Sequence, residues 1–65
     1  MIELDVADMS CEHCVATIRK AVREVDAASA CEVDLAAHKV RIASERPAGD
    51  FVAAIAGAGY TPRLA

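Results

Sequence analysis

The hydrophobic period of this chain switches repeatedly between two and about 3.6 residues, and the order of those switches constrains the fold more than any other feature. Ile2, Leu4 and Val6 alternate with Glu3, Asp5 and Ala7, the pattern of a half-buried strand. Asp8 to Glu12 breaks the alternation and reads as a loop. From His13 the period lengthens: Val15, Ile18, Val22 and Val25 fall on one face of a helix, and Arg19, Lys20, Arg23 and Glu24 occupy the others. Asp26 ends that pattern. Cys31, Val33 and Leu35 then alternate with Glu32 and Asp34, and Val40 and Ile42 with Lys39 and Arg41, with Ala36-Ala37-His38 as the connection of a hairpin. Pro47 is suited to open a second helix through Phe51, Val52 and Ile55, which Gly57 and Gly59 stop. Tyr60 to Leu64 forms a short last strand, and Pro62 confines it to a sheet edge.

The order is therefore β-α-β-β-α-β in a single domain of residues 1–65. Strands with one apolar face and two amphipathic helices fit an α+β, ferredoxin-like sandwich: a four-stranded antiparallel sheet with both helices on one side. Charge supports this separately. In the strand order 4-1-3-2, the solvent face would carry Arg63, then Glu3 and Asp5, then Lys39 and Arg41, then Glu32 and Asp34. The sign alternates from strand to strand, and opposite charges on neighbouring strands contribute a few tenths of a kcal/mol each.

Size and composition limit function. Sixty-five residues with one Phe, one Tyr and no Trp leave little room for a deep substrate pocket. A net charge of −3 speaks against nucleic-acid binding and against anionic membranes. Glu3, Asp5 and Asp8 stand where a signal peptide would be basic and then apolar, and no apolar run approaches the roughly 20 residues of a membrane span. The expectation is a soluble, cytoplasmic domain, and not a deep-pocket enzyme or a nucleic-acid binder. Three cysteines are an odd number for a disulfide framework.

Two of them make the centre of interest, Met9-Ser10-Cys11-Glu12-His13-Cys14, where the first strand hands over to the first helix. Thiols separated by two residues can reach one soft ion. The unpaired N–H groups and the positive dipole end of a helix start favour thiolates there. Two thiolates with no other nearby ligand suit Cu(I), whereas structural zinc wants four ligands. Thioredoxin-like proteins also use Cys-x-x-Cys, but in longer chains with aromatic residues around the pair.

The motif, its position and the element order resemble the heavy-metal-associated domain over essentially the whole chain, in particular small bacterial copper chaperones and the N-terminal domains of copper-transporting P-type ATPases. The family pattern Gly-Met-Thr/Ser-Cys-x-x-Cys reads here Asp8-Met9-Ser10-Cys11-Glu12-His13-Cys14, with Asp8 in place of the usual glycine. The resemblance implies that Cys11 and Cys14 bind Cu(I) and pass it by ligand exchange to a like-folded domain of a copper-exporting ATPase. It also implies that Tyr60, after Gly59, lies close to the metal loop, shielding the ion. Met9 reads as an apolar pin anchoring the loop. His13 reads as an exposed polar residue or as an auxiliary ligand, within one chain or in a metal-bridged homodimer.

Elsewhere, Cys31 shares parity with Val33 and Leu35 and is expected to face the helices as a small hydrophobe. His38 is expected to be exposed on its turn. Arg19, Lys20 and Arg23 form either a solvated face or a docking patch for an acidic partner. Two alternatives stay open: a carrier for Hg(II), Zn(II) or Cd(II), and a small thiol–disulfide oxidoreductase.

Overall fold

The structure, a computed structural model, describes residues 1–64. Its elements run β1 (Ile2–Val6), α1 (Glu12–Val25), β2 (Ala30–Asp34), β3 (Lys39–Ala43), α2 (Ala48–Gly57) and β4 (Pro62–Leu64). The strands form one antiparallel sheet in the order β2-β3-β1-β4. This is the expected ferredoxin-like sandwich, read in the same spatial order.

Register follows the two faces of each strand. Leu4, Val6, Val40 and Ile42 are buried and share one cluster with Ile18, Ala21 and Val22 of α1, Phe51 and Ile55 of α2, and Met9. Both helices therefore cover the same side of the sheet. On the open side, Glu3 stands opposite Arg41 and Asp5 opposite Lys39 on one flank and Arg63 on the other. Glu32 and Asp34 face Arg41 and Lys39 from β2. Lys39 Nζ lies 3.0 Å from the Asp5 carboxylate, and Arg41 Nε lies 3.6 Å from that of Glu3. These groups are about half exposed, and such pairs are worth roughly 0–1 kcal/mol. A fully buried Leu, Ile or Phe contributes about 1.5–3 kcal/mol. The core holds the fold, and the charges favour this register over its neighbours.

Helix α1 begins one residue earlier than its periodicity suggests and ends at Val25, with Asp26 as C-cap. Ala21 joins Ile18 and Val22 in the core, while Val15 and Val25 are only half-buried. The Asp26 carboxylate takes the place of a C-terminal glycine: it accepts from the Ala28 N–H at 3.0 Å and the Ser44 hydroxyl at 2.6 Å, tying the end of α1 to the end of β3. Pro47 caps α2 as expected, and Gly59 turns the chain into β4 with φ +101°, a conformation that favours glycine. Tyr60 precedes β4 and is not part of it. Among the described residues, no helix is long and apolar enough to cross a membrane.

One expectation is corrected. His38 is half-buried, with φ +56°, and its side chain turns inward to the β1–α1 loop. A hairpin of alanines leaves that histidine as the one polar side chain of the turn able to reach a neighbouring carbonyl.

Candidate metal centre

The chain leaves β1 at Val6 and enters α1 at Glu12, so the loop between them is anchored at both ends. Met9 anchors its middle. The side chain is fully buried in the core, and its N–H donates to the Val6 carbonyl at 3.1 Å. An apolar residue flanked by Asp8 and Ser10 can gain stability only by turning inward, as the reading of Met9 as a pin requires.

Cys11 is the N-cap of α1 in extended conformation, φ −152° and ψ 168°, and its side chain makes no capping bond to the helix. Its carbonyl accepts the first helical hydrogen bond, from Val15 at 3.2 Å. Cys14 sits one turn into the helix, half-buried against the core, whereas Cys11 is exposed. Both are free thiols, with their sulfurs 3.2 Å apart.

The two sulfurs are not equivalent. Cys14 is lowered from 9.0 to about 6, first by the hydroxyl of Tyr60, then by the Ser10 backbone N–H and the Cys11 thiol. Hydrogen bonds to the charged form favour that form, and here they outweigh the partial loss of water. Tyr60 shows the reciprocal effect: donating to Cys14 raises its own pKa, and burial adds to this. Tyr60 is half-buried, packed against the core. Cys14 thus favours the thiolate at neutral pH from within the first turn of α1, and Cys11 is its exposed neighbour at the helix N-cap.

Other candidates separate from this pair. His13 is exposed on α1, and its carbonyl accepts from the Thr17 hydroxyl at 3.0 Å. Among the described residues, no three of His, Cys, Asp and Glu come together as a ligand group, so neither His13 nor Cys31 joins the thiols within this chain. Cys31 is half-buried on the edge strand β2, packed against the core, and burial pushes its thiol up while nearby Arg19 opposes the shift. The three cysteines divide into two whose sulfurs neighbour each other, Cys11 and Cys14, and one, Cys31, that behaves as a small hydrophobe. Arg19, Lys20 and Arg23 are all exposed along α1.

Sequence reasoning left two contacts unseen. The Asp8 carboxylate accepts the Thr61 N–H at 3.1 Å, bridging the loop to the segment that follows Tyr60. Asp8 does not adopt a positive φ, so the position that is usually glycine needs no glycine freedom here. The imidazole Nδ1 of His38 lies 2.7 Å from the Met9 carbonyl. Short polar residues near a turn are too common for sequence to single these two out.

The family profile described as the heavy-metal-associated domain matches residues 3–61, nearly the whole chain and including the loop just described. The chain belongs to the heavy-metal-associated domain family. Over 60 residues this heavy-metal-associated domain is 40% identical to the copper chaperone CopZ of Bacillus subtilis (strain 168), covering 88% of this chain and 87% of that protein. Among solved structures, the copper chaperone Atx1 from Synechocystis PCC6803 superposes with a TM-score of 0.92 at 36% identity, over 97% of this chain and 100% of Atx1. A gold-binding protein superposes with a TM-score of 0.95 at 28% identity over the full length of both chains. The copper and gold named for these relatives are soft metals, which prefer sulfur donors.

Proposed function

We propose that this heavy-metal-associated domain is a carrier of Cu(I): Cys11 and Cys14 hold the ion, and thiolate exchange passes it to a like-folded metal-binding domain, that of a copper-exporting P-type ATPase. The observation that carries the reading is the pair of free thiols 3.2 Å apart, Cys11 exposed and Cys14 half-buried in the first turn of α1. Metal–sulfur bonds run about 2.3 Å, so an ion between the sulfurs spreads them to roughly 4 Å or more. Cys14 is fixed by its helix and the core. Cys11, on the loop, makes that movement.

Ion uptake is favoured at the Cys14 sulfur, whose thiol is lowered to about 6 and so has little proton left to displace at neutral pH. Handover follows from exposure. A partner thiolate approaches the ion from the Cys11 side and forms a new metal–sulfur bond as a bond to this chain breaks. The ion keeps its oxidation state and is never released free. Copper is cargo here, and the chain turns over no substrate. Tyr60 shields the Cys14 side, so exchange starts at Cys11.

Anaerobic titration with Cu(I), with mass and oligomeric state read together, tests this. One ion per chain is expected, or one per pair of chains if two copies share it through their loops. Uptake should be lost in Cys11→Ser and Cys14→Ser. Equal uptake by the double serine variant would sink the reading. Competition between Cu(I) and Zn(II) separates copper from a borderline metal, and reductase turnover by the metal-free protein would favour the thiol–disulfide alternative.

A further inference from the structure

We infer that His38, on the turn between β2 and β3, is a positioning residue for the metal loop: its imidazole holds the Met9–Ser10 peptide in the orientation that aims the Ser10 N–H at Cys14. The inference rests on Cys11 and Cys14 being the metal ligands.

His38 is bound to its surroundings at three atoms. Its N–H closes the turn on the Leu35 carbonyl at 3.3 Å, and its carbonyl accepts the N–H of Val6, the last residue of β1, at 2.8 Å. Its Nδ1 lies 2.7 Å from the Met9 carbonyl, 29 positions away. A carbonyl oxygen can only accept, so the hydrogen resides on Nδ1. The turn by itself does not ask for histidine. With φ +56°, His38 is the only non-glycine residue of positive φ among those described, and glycine or asparagine adopts that conformation more readily. What histidine adds is the donor.

The next link is covalent geometry. The Met9 carbonyl and the Ser10 N–H belong to one planar peptide, and no cis bond occurs among the described residues. In a trans peptide the two groups point in opposite directions. Fixing the carbonyl toward His38 therefore fixes the N–H on the other side, and the Ser10 N–H is one of the donors to the Cys14 sulfur. His38 never touches the thiols. It acts through one rigid peptide, whose other restraints are the buried Met9 side chain and the bond from the Met9 N–H to Val6.

Two substitutions separate the donor from the turn. His38→Gly relieves the backbone and removes the donor. His38→Asn tolerates the same φ and keeps an N–H on the atom attached to Cγ, as Nδ1 is in histidine. By thermal unfolding, metal-free His38→Gly should be as stable as the wild type or close to it. Its Cu(I) affinity, measured by anaerobic chelator competition, should fall by about three- to tenfold, the worth of one hydrogen bond. His38→Asn should recover most of that loss. In the metal-free protein, the Ser10 amide resonance should move in His38→Gly and return in His38→Asn, while amides of β3 beyond the turn stay in place. Wild-type Cu(I) affinity in His38→Gly, or equal weakening in both variants, overturns the assignment. If instead the wild type takes up no Cu(I), or the double serine variant takes it up equally, the carrier reading fails; the Ser10 resonance still decides whether the relay from His38 exists.

Discussion

The Asp8 carboxylate accepts the backbone N–H of Thr61 across 3.1 Å, joining the metal loop to a segment 53 positions further along the chain. Thr61 directly follows Tyr60, whose hydroxyl is the largest influence holding Cys14 as a thiolate. Asp8 thus tethers the residue next to Tyr60, and a role in placing Tyr60 can be separated from the effect of its charge. Asp8→Asn keeps an acceptor oxygen and removes the charge; Asp8→Ala removes both. Loss of a nearby negative charge alone lowers a thiol pKa, whereas loss of the Tyr60 contact raises it. Cys14 should titrate at or slightly below its wild-type position in Asp8→Asn, and above it in Asp8→Ala. A downward shift in Asp8→Ala would mean that Asp8 acts by charge and not by placing Tyr60.

Cys14 itself gives the clearest pH signature. Alkylation of the metal-free protein, mapped by mass to each cysteine, should show Cys14 reacting along a curve with its midpoint at about 6. Tyr60→Phe removes the largest cause, so the midpoint should rise toward 9.0 and the rate at neutral pH should fall. The folded pKa lies below the unfolded thiol value. The stabilisation from Cys14 is therefore present in full above the unfolded value and is lost as pH falls through about 6. The difference in stability between wild type and Cys14→Ser should narrow below pH 6. An unchanged midpoint in Tyr60→Phe would remove Tyr60 from the site.

Much of this was legible before any coordinates. Alternation at Ile2–Val6 and Val40–Ile42 and the helical spacing of Ile18 and Val22 reflect burial on one face, which a period reports directly. The strand order is the usual one of the ferredoxin-like fold that the element order implies, and the charges of Glu3, Asp5, Lys39 and Arg41, which pair across the sheet, support it. Cys11 and Cys14 were legible as neighbours because they lie three positions apart in sequence. His38 and Asp8 were not. Their contacts, with Met9 and Thr61, span 29 and 53 positions and depend on side-chain direction at turns, which no local pattern encodes. Val25 lies on the apolar face of α1 as its spacing implies, packed against the core, and Ala21 joins that face because the buried stripe is broader than the strict period.

Acid sensitivity should also appear at the end of α1. The Ser44 hydroxyl and the Ala28 N–H hold the Asp26 carboxyl below its usual 3.8. A lowered folded pKa gives stability that is present above the unfolded value and lost as pH falls through the folded one. Ser44→Ala should lower the urea midpoint at pH 7, and the gap to wild type should shrink at pH 3 and below. A gap of the same size at both pH values would mean that Ser44 matters by packing and not through the Asp26 carboxylate.

Met9 separates a pin from a ligand. Its side chain is fully buried, as is that of Phe51 in α2. Truncating a buried Met to Ala removes about 2–5 kcal/mol and Phe to Ala about 3–5 kcal/mol. A chain of this length has roughly 3–10 kcal/mol of stability in total. Phe51→Ala and Met9→Ala should therefore both be partly or wholly unfolded at 37 °C by circular dichroism. Met9→Leu preserves volume and apolarity but removes the sulfur, and such exchanges cost about 1.5 kcal/mol or less. It should stay folded, take up Cu(I) with wild-type stoichiometry and bind within about threefold of wild type, because a pin needs shape and a ligand needs sulfur. A folded Met9→Leu variant that loses Cu(I) would make Met9 a metal ligand, and the buried thioether would then have to swing out of the core when the ion binds.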